Sequence, residues 1–485
     1  MAHPDWVLKH KKPKTEIRKI KNNYYLYEIS SKWDPQKKRA KKITGKILGK
    51  ITPEGFVESH KRKLEKQVNN TNIIHSVSVK EFGVTSFISE HLVQLIDPLK
   101  IFFKDDWQML VSLAYARLLF RSPIKNMPFY FSNSFLSEKF KSLSLTDKKI
   151  SAFIRSLGMQ REMIIKYFKS FISLEQYILI DATAVFTQSE NILASKYGYN
   201  NKGIYLPQVN LIFIFSLTNH LPVYYRITPG NIREISSFRL SMKESGIEHG
   251  VVIADKGFYS DANIRLLKKE ELEYIIPLKR NSRLIDYEAI KSGNKKNMDG
   301  YFEYQKRFIW YSAKKMGDDI IILFLDEHLK SIEEKDYLNR IQTHPEEYDL
   351  ETFYEKQFSF GTFSVISNLV SLPPKTIYQY YKSRNNVEQM FDTFKNLIMA
   401  DRTYMQDEHA LEGWMFINTI ALQWYYKIYQ LLIEKKLLSK YSINDFLVYL
   451  SEIKKVKINN RWHLAEINSK TKNLIKKLEL NIPIT

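Results

Sequence analysis

The chain of 485 residues has no cysteine, which excludes thiolate nucleophiles, zinc ribbons and disulfides together. Its 11 histidines are scattered and form no H-E-x-x-H or comparable pair, so each reads as a surface or packing residue rather than a metal ligand. There is neither a GxxxxGK(S/T) loop nor a GxGxxG turn, which argues against nucleotide hydrolysis and a dinucleotide cofactor. Uninterrupted apolar runs of membrane length are missing as well. The best candidate, Glu412 to Ile433, reads as a long buried helix, and its Asn418, Gln423, Lys427 and Gln430 argue against a membrane span. The start is polar and basic without an apolar h-region, so no secretory signal is expected and a cytoplasmic location follows.

Negative charge is the scarcer sign: 53 Asp plus Glu face 74 Lys plus Arg, a formal net of +21. The excess sits at the ends. Residues 1–66 hold 19 basic and 7 acidic side chains, and residues 434–485 hold 11 and 5. Charge concentrated in this way favours phosphate binding through counterion release, and the termini are expected to grip nucleic acid. Lys, Ile, Asn and Tyr are all abundant, a bias that an AT-rich genome also produces, so charge supports a nucleic-acid partner without defining it.

Against this basic background three carboxylates stand out. Tyr177 to Ile180 lead into Asp181 (YILIDATAVF), and Gly250 to Ala254 lead into Asp255 (GVVIADKGFYS); each apolar run reads as a buried strand that stops at an aspartate. Strands apolar on both faces belong to sheets covered by helices, with such a carboxylate at the edge. A turn-forming Asp is the plain alternative for either one. The third acid lies in YYKSRNNVEQMFDTFKN, where Tyr381, Arg384, Glu388 and Lys395 stack along one helical stripe at about 3.6 residues per turn. Ile377, Tyr380, Val387, Met390, Phe391, Phe394 and Ile398 hold that helix against a core. The alternative is a surface helix with an Arg384–Glu388 pair, but that is the weaker orientation of an i,i+4 pair and it leaves Lys395 out.

Between the two aspartates the chain reads strand, strand, strand, helix, strand. Gln208 to Ser216 and Leu221 to Thr228 flank a hairpin connection at Leu217 to His220. Pro229, Gly230 and Asn231 break the pattern before a helix near Ser236 to Ser245, and Ser260 to Glu270 reads as the next helix, followed by a fifth strand at Tyr274 to Leu278. The expected fold class is α/β, an RNase H-like core with a mixed five-stranded sheet flanked by helices.

The spacing Tyr381-x2-Arg384-x3-Glu388-x6-Lys395 resembles the signature of a large group of prokaryotic insertion-sequence transposases, the DDE enzymes with Y, R, E and K at those places. Asp181-Ala182-Thr183, Pro229-Gly230-Asn231 and Asp255-Lys256-Gly257-Phe258 resemble that family's motifs around its first two catalytic acids. The resemblance implies that Asp181, Asp255 and Glu388 are the catalytic, metal-holding acids. It also implies partners: the element's terminal inverted repeats and target DNA, with a homodimer pairing the ends and no nucleotide cofactor.

The chemistry is consistent with three acids. Phosphodiester cleavage places charge on both the attacking and the leaving oxygen, and two divalent ions about 3.5–4 Å apart clamp both. Such hard cations take oxygen ligands; Mg²⁺ is expected, with Mn²⁺ able to substitute. Arg384 and Lys395 are expected to meet DNA phosphates beside the metals, Arg as a planar fork and Lys as a point charge, and Tyr381 to donate to a phosphate or pack on a base.

At this length several parts are expected. They are a basic β element over 1–79, a helical DNA-binding region over 80–176, the core over 177–279 and 372–433, and a β-rich insertion over 280–371. A basic helical region over 434–485 closes the chain. Tyr24, Tyr25, Tyr27 and Trp33 serve either base stacking or a small core. In the insertion, Tyr301 to Ser312, Asp319 to Leu325 and Phe358 to Ile366 read as strands. In some related transposases an aromatic residue there stacks on an expelled base, and Trp310 is the candidate, with a core Trp as the alternative. Besides a transposase, two readings stay open: a nuclease on the same core without strand transfer, and a non-cleaving DNA-binding regulator.

Overall fold

A computed structural model of the chain describes residues 3–35, 37–60, 76–172, 176–198, 205–231, 234–247, 250–254, 258–269, 271–384, 393 and 402–482, without the side chains of 176–177, 181–182, 234–239 and 250. Two units result, Met1–Ser78 with Lys457–His463, and Val79–Val456 with Leu464–Thr485.

In the smaller unit, alternating aromatic and charged residues build an antiparallel sheet in the order β1 (Thr15–Ile20), β2 (Asn23–Asp34), β3 (Arg39–Thr52), β4 (Gly55–Glu58). Asp34 Oδ1 accepts from the Lys37 amide at 3.2 Å and closes the β2–β3 turn, where the Asp34-Pro35 pair predicts one. The core is small: Val7, Ile17, Tyr24, Leu26 and Ile51 are buried, with Trp6 edge-on to Tyr24. Tyr24 therefore packs inward, whereas Trp33 is 62% exposed.

A short strand, β5 (Val77–Glu81), precedes the helices α1 (Gly83–His91), α2 (Val93–Phe102), α3 (Trp107–Phe120), α4 (Asp147–Met159) and α5 (Arg161–Lys169). Residues Leu110 to Leu118 of α3 are all buried, as a helix that is apolar all round must be. It lies against a later helix of 27 residues, α11 (Glu408–Glu434), whose Asn418 accepts from the buried Arg117 guanidinium at 2.8 Å. On α4 and α11, a Cβ at Gly158 or Gly413 would run into a backbone carbonyl of the facing helix, so the two backbones touch where only glycine fits. None of the described helices is long and apolar enough to cross a membrane.

The large sheet is mixed. Its strands are β6 (Gln176–Thr187), β7 (Lys196–Tyr197), β8 (Pro207–Ser216), β9 (Leu221–Pro229), β10 (Gly250–Ile253), β11 (Glu273–Leu278), β12 (Gly300–Tyr304), β13 (Arg307–Met316), β14 (Asp319–Asp326), β15 (Thr362–Ser367) and β16 (Arg402–Thr403). They run in the order β12-β13-β14-β15-β11-β10-β6-β8-β7, with β9 on β8 and β16 on β6. β10 is parallel to both β6 and β11. The helices α6 (Glu234–Ser245) and α7 (Asp261–Lys269) follow β9 and β10.

Three expectations change here. β6 does not stop at Asp181 but runs on to Thr187, because β8 pairs with it from Ile178↔Ser216 to Phe186↔Gln208. Tyr301 to Ser312 is not one strand but a hairpin, turned at Gln305 and Lys306, both at positive φ. The insertion is not purely β-rich: α8 (Glu327–Thr343) and α9 (Leu350–Lys356) lie within it, and β15 starts at Thr362, later than expected. No residue of α8 is buried, so it carries no apolar stripe by which periodicity could reveal it. β12 to β15 continue the core sheet through the antiparallel pairing of β15 with β11.

Candidate active site

Asp181 lies in the middle of β6, its backbone opposite Phe213 of β8. The strand is walled by Ile178, Leu179 and Ile180 before it and Val185 and Phe186 after it, all buried. On its other side β10 pairs in parallel, Val252 with Ile178 and Ile253 with Leu179. Asp181 follows Leu179 by two residues, and Asp255 follows Ile253 by two. Asp255 itself lies outside the described residues, as do Glu388 and Lys395. Two residues beyond Asp181, Thr183 is buried and its Oγ1 has no hydrogen-bond partner among the described residues.

The Pro229-Gly230-Asn231 motif closes β9 beside this strand pair. A Cβ at Gly230 would strike the carbonyl oxygens of Gln208 and Lys196, while the Gly230 carbonyl accepts from Asn210 Nδ2 at 3.3 Å. The glycine is thus required by close packing of β7, β8 and the end of β9.

Pro373 and Pro374 start the helix α10 (Pro374–Lys382), whose Ile377, Tyr378 and Tyr381 are buried at helical spacing. Tyr378 packs against Phe302, Phe324 and Phe363 of the insertion strands, at centroid distances of 5.3, 4.9 and 6.2 Å. Tyr381 lies over Phe363 at 4.3 Å and is 9% exposed. Each such aromatic pair adds about 0.5–1.5 kcal/mol to plain burial, so α10 is fixed to the sheet by its ring cluster. Of the four signature residues, Tyr381 and Arg384 are described: α10 ends at Lys382, and Arg384 follows in a turn, its amide donating to the Tyr381 carbonyl at 3.0 Å. Arg384 is half-buried.

Trp310 is on β13, partly exposed, and is not a core residue. It lines a cavity of about 920 Å³ with Lys295, Tyr301, Arg307, Phe308 and His328 among its walls. Tyr301 lies 5.1 Å from its ring, and Lys295 Nζ stands 5.1 Å from its centroid. Tyr301 and Phe308 are 60% and 59% exposed. Sequence reading missed these neighbours because a single long strand would have scattered them, whereas the 305–306 turn brings Tyr301 opposite Trp310. On the same hairpin, Arg307 pairs with Asp326 at 2.9 Å, and Asp326 also caps α8.

A second cluster was not legible at all. Arg161 of α5 reaches Glu412 of α11 at 2.6 Å and donates to the Tyr225 carbonyl of β9 at 2.8 Å. It also meets Glu244 of α6, which Arg226 and Tyr224 contact as well. Burial works against the Arg161 charge, but Glu412, Tyr225, Tyr224 and Glu244 together outweigh it and hold the proton more tightly than usual. This network ties α5, α6 and α11 to β9. Its members lie far apart in sequence with no spacing to connect them.

No group of three His, Asp or Glu side chains able to hold a metal occurs among the described residues, a set without Asp255, Glu388 and the Asp181 side chain. The family model described as transposase DDE domain matches residues 173–424, more than half of the chain. No curated protein matches. Among solved structures, one described as the cryo-EM structure of the piggyBac transposase synaptic complex with hairpin DNA is similar over 78% of this chain and 73% of that chain, at 12% identity and a TM-score of 0.37.

Proposed function

This chain belongs to the transposase DDE domain family, and from that premise we propose that it cuts and joins DNA at a centre formed by Asp181, Asp255 and Glu388. The observation that carries the assignment is the parallel register of β6 and β10, in which Leu179 and Ile253 are partners and an aspartate follows each by two residues. The strand order β9-β8-β6-β10-β11 supports an RNase H-like core: it is third, second, first, fourth, fifth in chain order, with the fourth strand parallel to the first and fifth.

DDE transposase domains generally use divalent metal ions. The residues fit such ions. Three carboxylates form a hard oxygen donor set, and the Thr183 hydroxyl, on the same strand as Asp181 and without a partner among the described residues, offers a polar contact for an ordered water. Asp181, Asp255 and Glu388 would hold Mg²⁺, with Mn²⁺ as a substitute, and when bound the ions offset charge on the attacking and leaving oxygens. Arg384 and Lys395 orient the scissile phosphate. Tyr381, buried under Phe363, acts by fixing the start of the signature segment to the insertion strands. Trp310, in its groove lined by Tyr301 and Phe308, stacks on a base drawn from the duplex. The basic ends of the chain hold the inverted repeats, and two copies pair the ends before the freed 3′-hydroxyls attack target DNA.

Incubating the full chain with a labelled duplex carrying its element's end, a target plasmid and Mg²⁺ tests the proposal. Covalent joining of label to plasmid is expected, and it should vanish in Asp181→Ala. Cutting without joining supports the nuclease reading instead; binding without cutting supports the regulator.

A further inference from the structure

We propose that the outer half of the β2–β3 hairpin is a two-stranded ribbon that enters the major groove of duplex DNA, an inference that rests on DNA being the partner. β1 covers β2 only from Asn23 to Glu28, and β4 covers β3 only from Gly49 to Thr52. Beyond those limits six cross-strand pairs, from Ile29↔Thr44 to Asp34↔Arg39, lie outside the third-strand pairing, with only the Ile29 amide donating across to the Lys14 carbonyl at 2.9 Å. At about 3.3 Å per residue this outer ribbon is about 20 Å long. Among the described residues from 29 to 44 none is buried.

Such a hairpin is hard to explain as a structural element. A two-stranded ribbon without an apolar face is marginal in water. This one also sets Lys32 directly opposite Lys41, a like-charge pair that opposes folding, and neither lysine has an acidic partner among the described residues. Residues 29–44 carry Lys32, Lys37, Lys38, Arg39, Lys41 and Lys42 against the single acid Asp34. Only Lys42 is drawn back to the sheet, pairing with Glu16 at 2.7 Å. A polyanion removes the repulsion by occupying the face between the lysines.

The shape favours duplex DNA among polyanions. The major groove of B-DNA, about 12 Å wide, admits a two-stranded ribbon, and strands read bases from it in known modes. Alternation puts Lys32, Lys41 and Arg39 on one face with the single acid Asp34, which is opposite Arg39, and Trp33 with Ala40 on the other; the face keeps a net positive charge, and guanine O6 and N7 are suitable acceptors for it. A-form RNA has a deep, narrow major groove that would not accept the ribbon.

The test compares the full chain with its Lys32→Ala/Arg39→Ala/Lys41→Ala variant on an end-bearing duplex at several salt concentrations. The variant should bind about ten- to a hundredfold more weakly, with a log–log salt slope shallower by about one to three, since about 0.9 is lost per phosphate contact. Protection of guanine N7 from methylation, present with the wild type, should disappear. The melting temperature should not fall, because all three side chains are exposed and the Lys32–Lys41 repulsion is removed. Equal affinity, slope and N7 protection in the two proteins would overturn the ribbon, as would duplex RNA or anionic vesicles binding the wild type better than DNA. End joining by the wild type, run alongside, separates the two claims: joining with an indifferent triple variant removes the ribbon alone, whereas ribbon-dependent binding with no joining removes the transposase reading alone.

Discussion

The small N-terminal sheet and the large mixed sheet share much antiparallel pairing but bury very different amounts of themselves. The first is backed by a cluster of five buried apolar side chains and leaves the outer half of its long hairpin in water. The second keeps Ile178, Ile214, Val252 and Ile276 at 0% exposure and shelters the strand that bears Asp181 from both sides. The difference matches the role proposed above for each. Phosphates are gripped by hydrated cations that need only be near and numerous, so a thin core suffices. Phosphodiester chemistry needs oxygen ligands held in fixed geometry, and only a rigid, well-packed sheet provides that.

Substitutions can break this division of labour. The largest effect belongs to the acids. Asp255→Ala or Glu388→Ala should lower Mg²⁺-dependent cleavage by about a thousandfold or more, as expected when several kcal/mol of charge stabilisation is removed, with duplex affinity within about twofold of wild type. Parallel cleavage and gel-shift assays read both.

Next comes the thin core. Leu26 is 2% exposed in a cluster of five, and Leu26→Ala should cost about 2–5 kcal/mol, enough to unfold the small unit. Differential scanning calorimetry should then lose one transition while the main one stays, and DNA affinity should fall. A shift of the main transition instead would show that the two units do not fold independently.

A third prediction concerns pH and the large unit alone. Glu81 is buried, and burial pushes its carboxyl up to about 7 despite hydrogen bonds from the Thr85 and Tyr115 hydroxyls and the Val84 amide. The folded state therefore holds this proton more tightly than the unfolded one. Stability from the protonated form is complete below about 4.5 and declines as pH rises toward 7, by on the order of 3 kcal/mol. Glu81→Gln should flatten that slope in thermal melts from pH 4.5 to 7.5, and an unchanged slope would assign it to other groups.

Trp310→Ala carries the smallest expected effect. Because the ring is partly exposed, the melting temperature should hardly move, the first nick should persist, and second-strand processing should slow by about ten- to a hundredfold, the worth of one stacked base. Equal loss in every step with a lower melting temperature would make Trp310 a packing residue.

The sequence made the buried strands legible because β8 and β11 are apolar on both faces, and α3 because its apolar run has helical length. Asp181 and Asp255 were singled out by their place after such strands, although β6 continues past Asp181 because β8 supplies partners as far as Phe186. Three things were hidden for physical reasons. The turn at Gln305 and Lys306 lacks the glycine or asparagine that positive φ usually recruits. α8 has no buried face. The Arg161–Glu412 pair joins residues 251 positions apart.

The most direct test of the divided molecule measures retention and cutting of one labelled end duplex with three proteins: the full chain, Asp181→Ala, and the chain lacking residues 1–66. The account predicts that Asp181→Ala retains the duplex and does not cut it, while the truncated chain binds weakly, with a flatter salt dependence, and still cuts at high protein concentration. Cutting by Asp181→Ala, or an unchanged salt slope in the truncated chain, would contradict it.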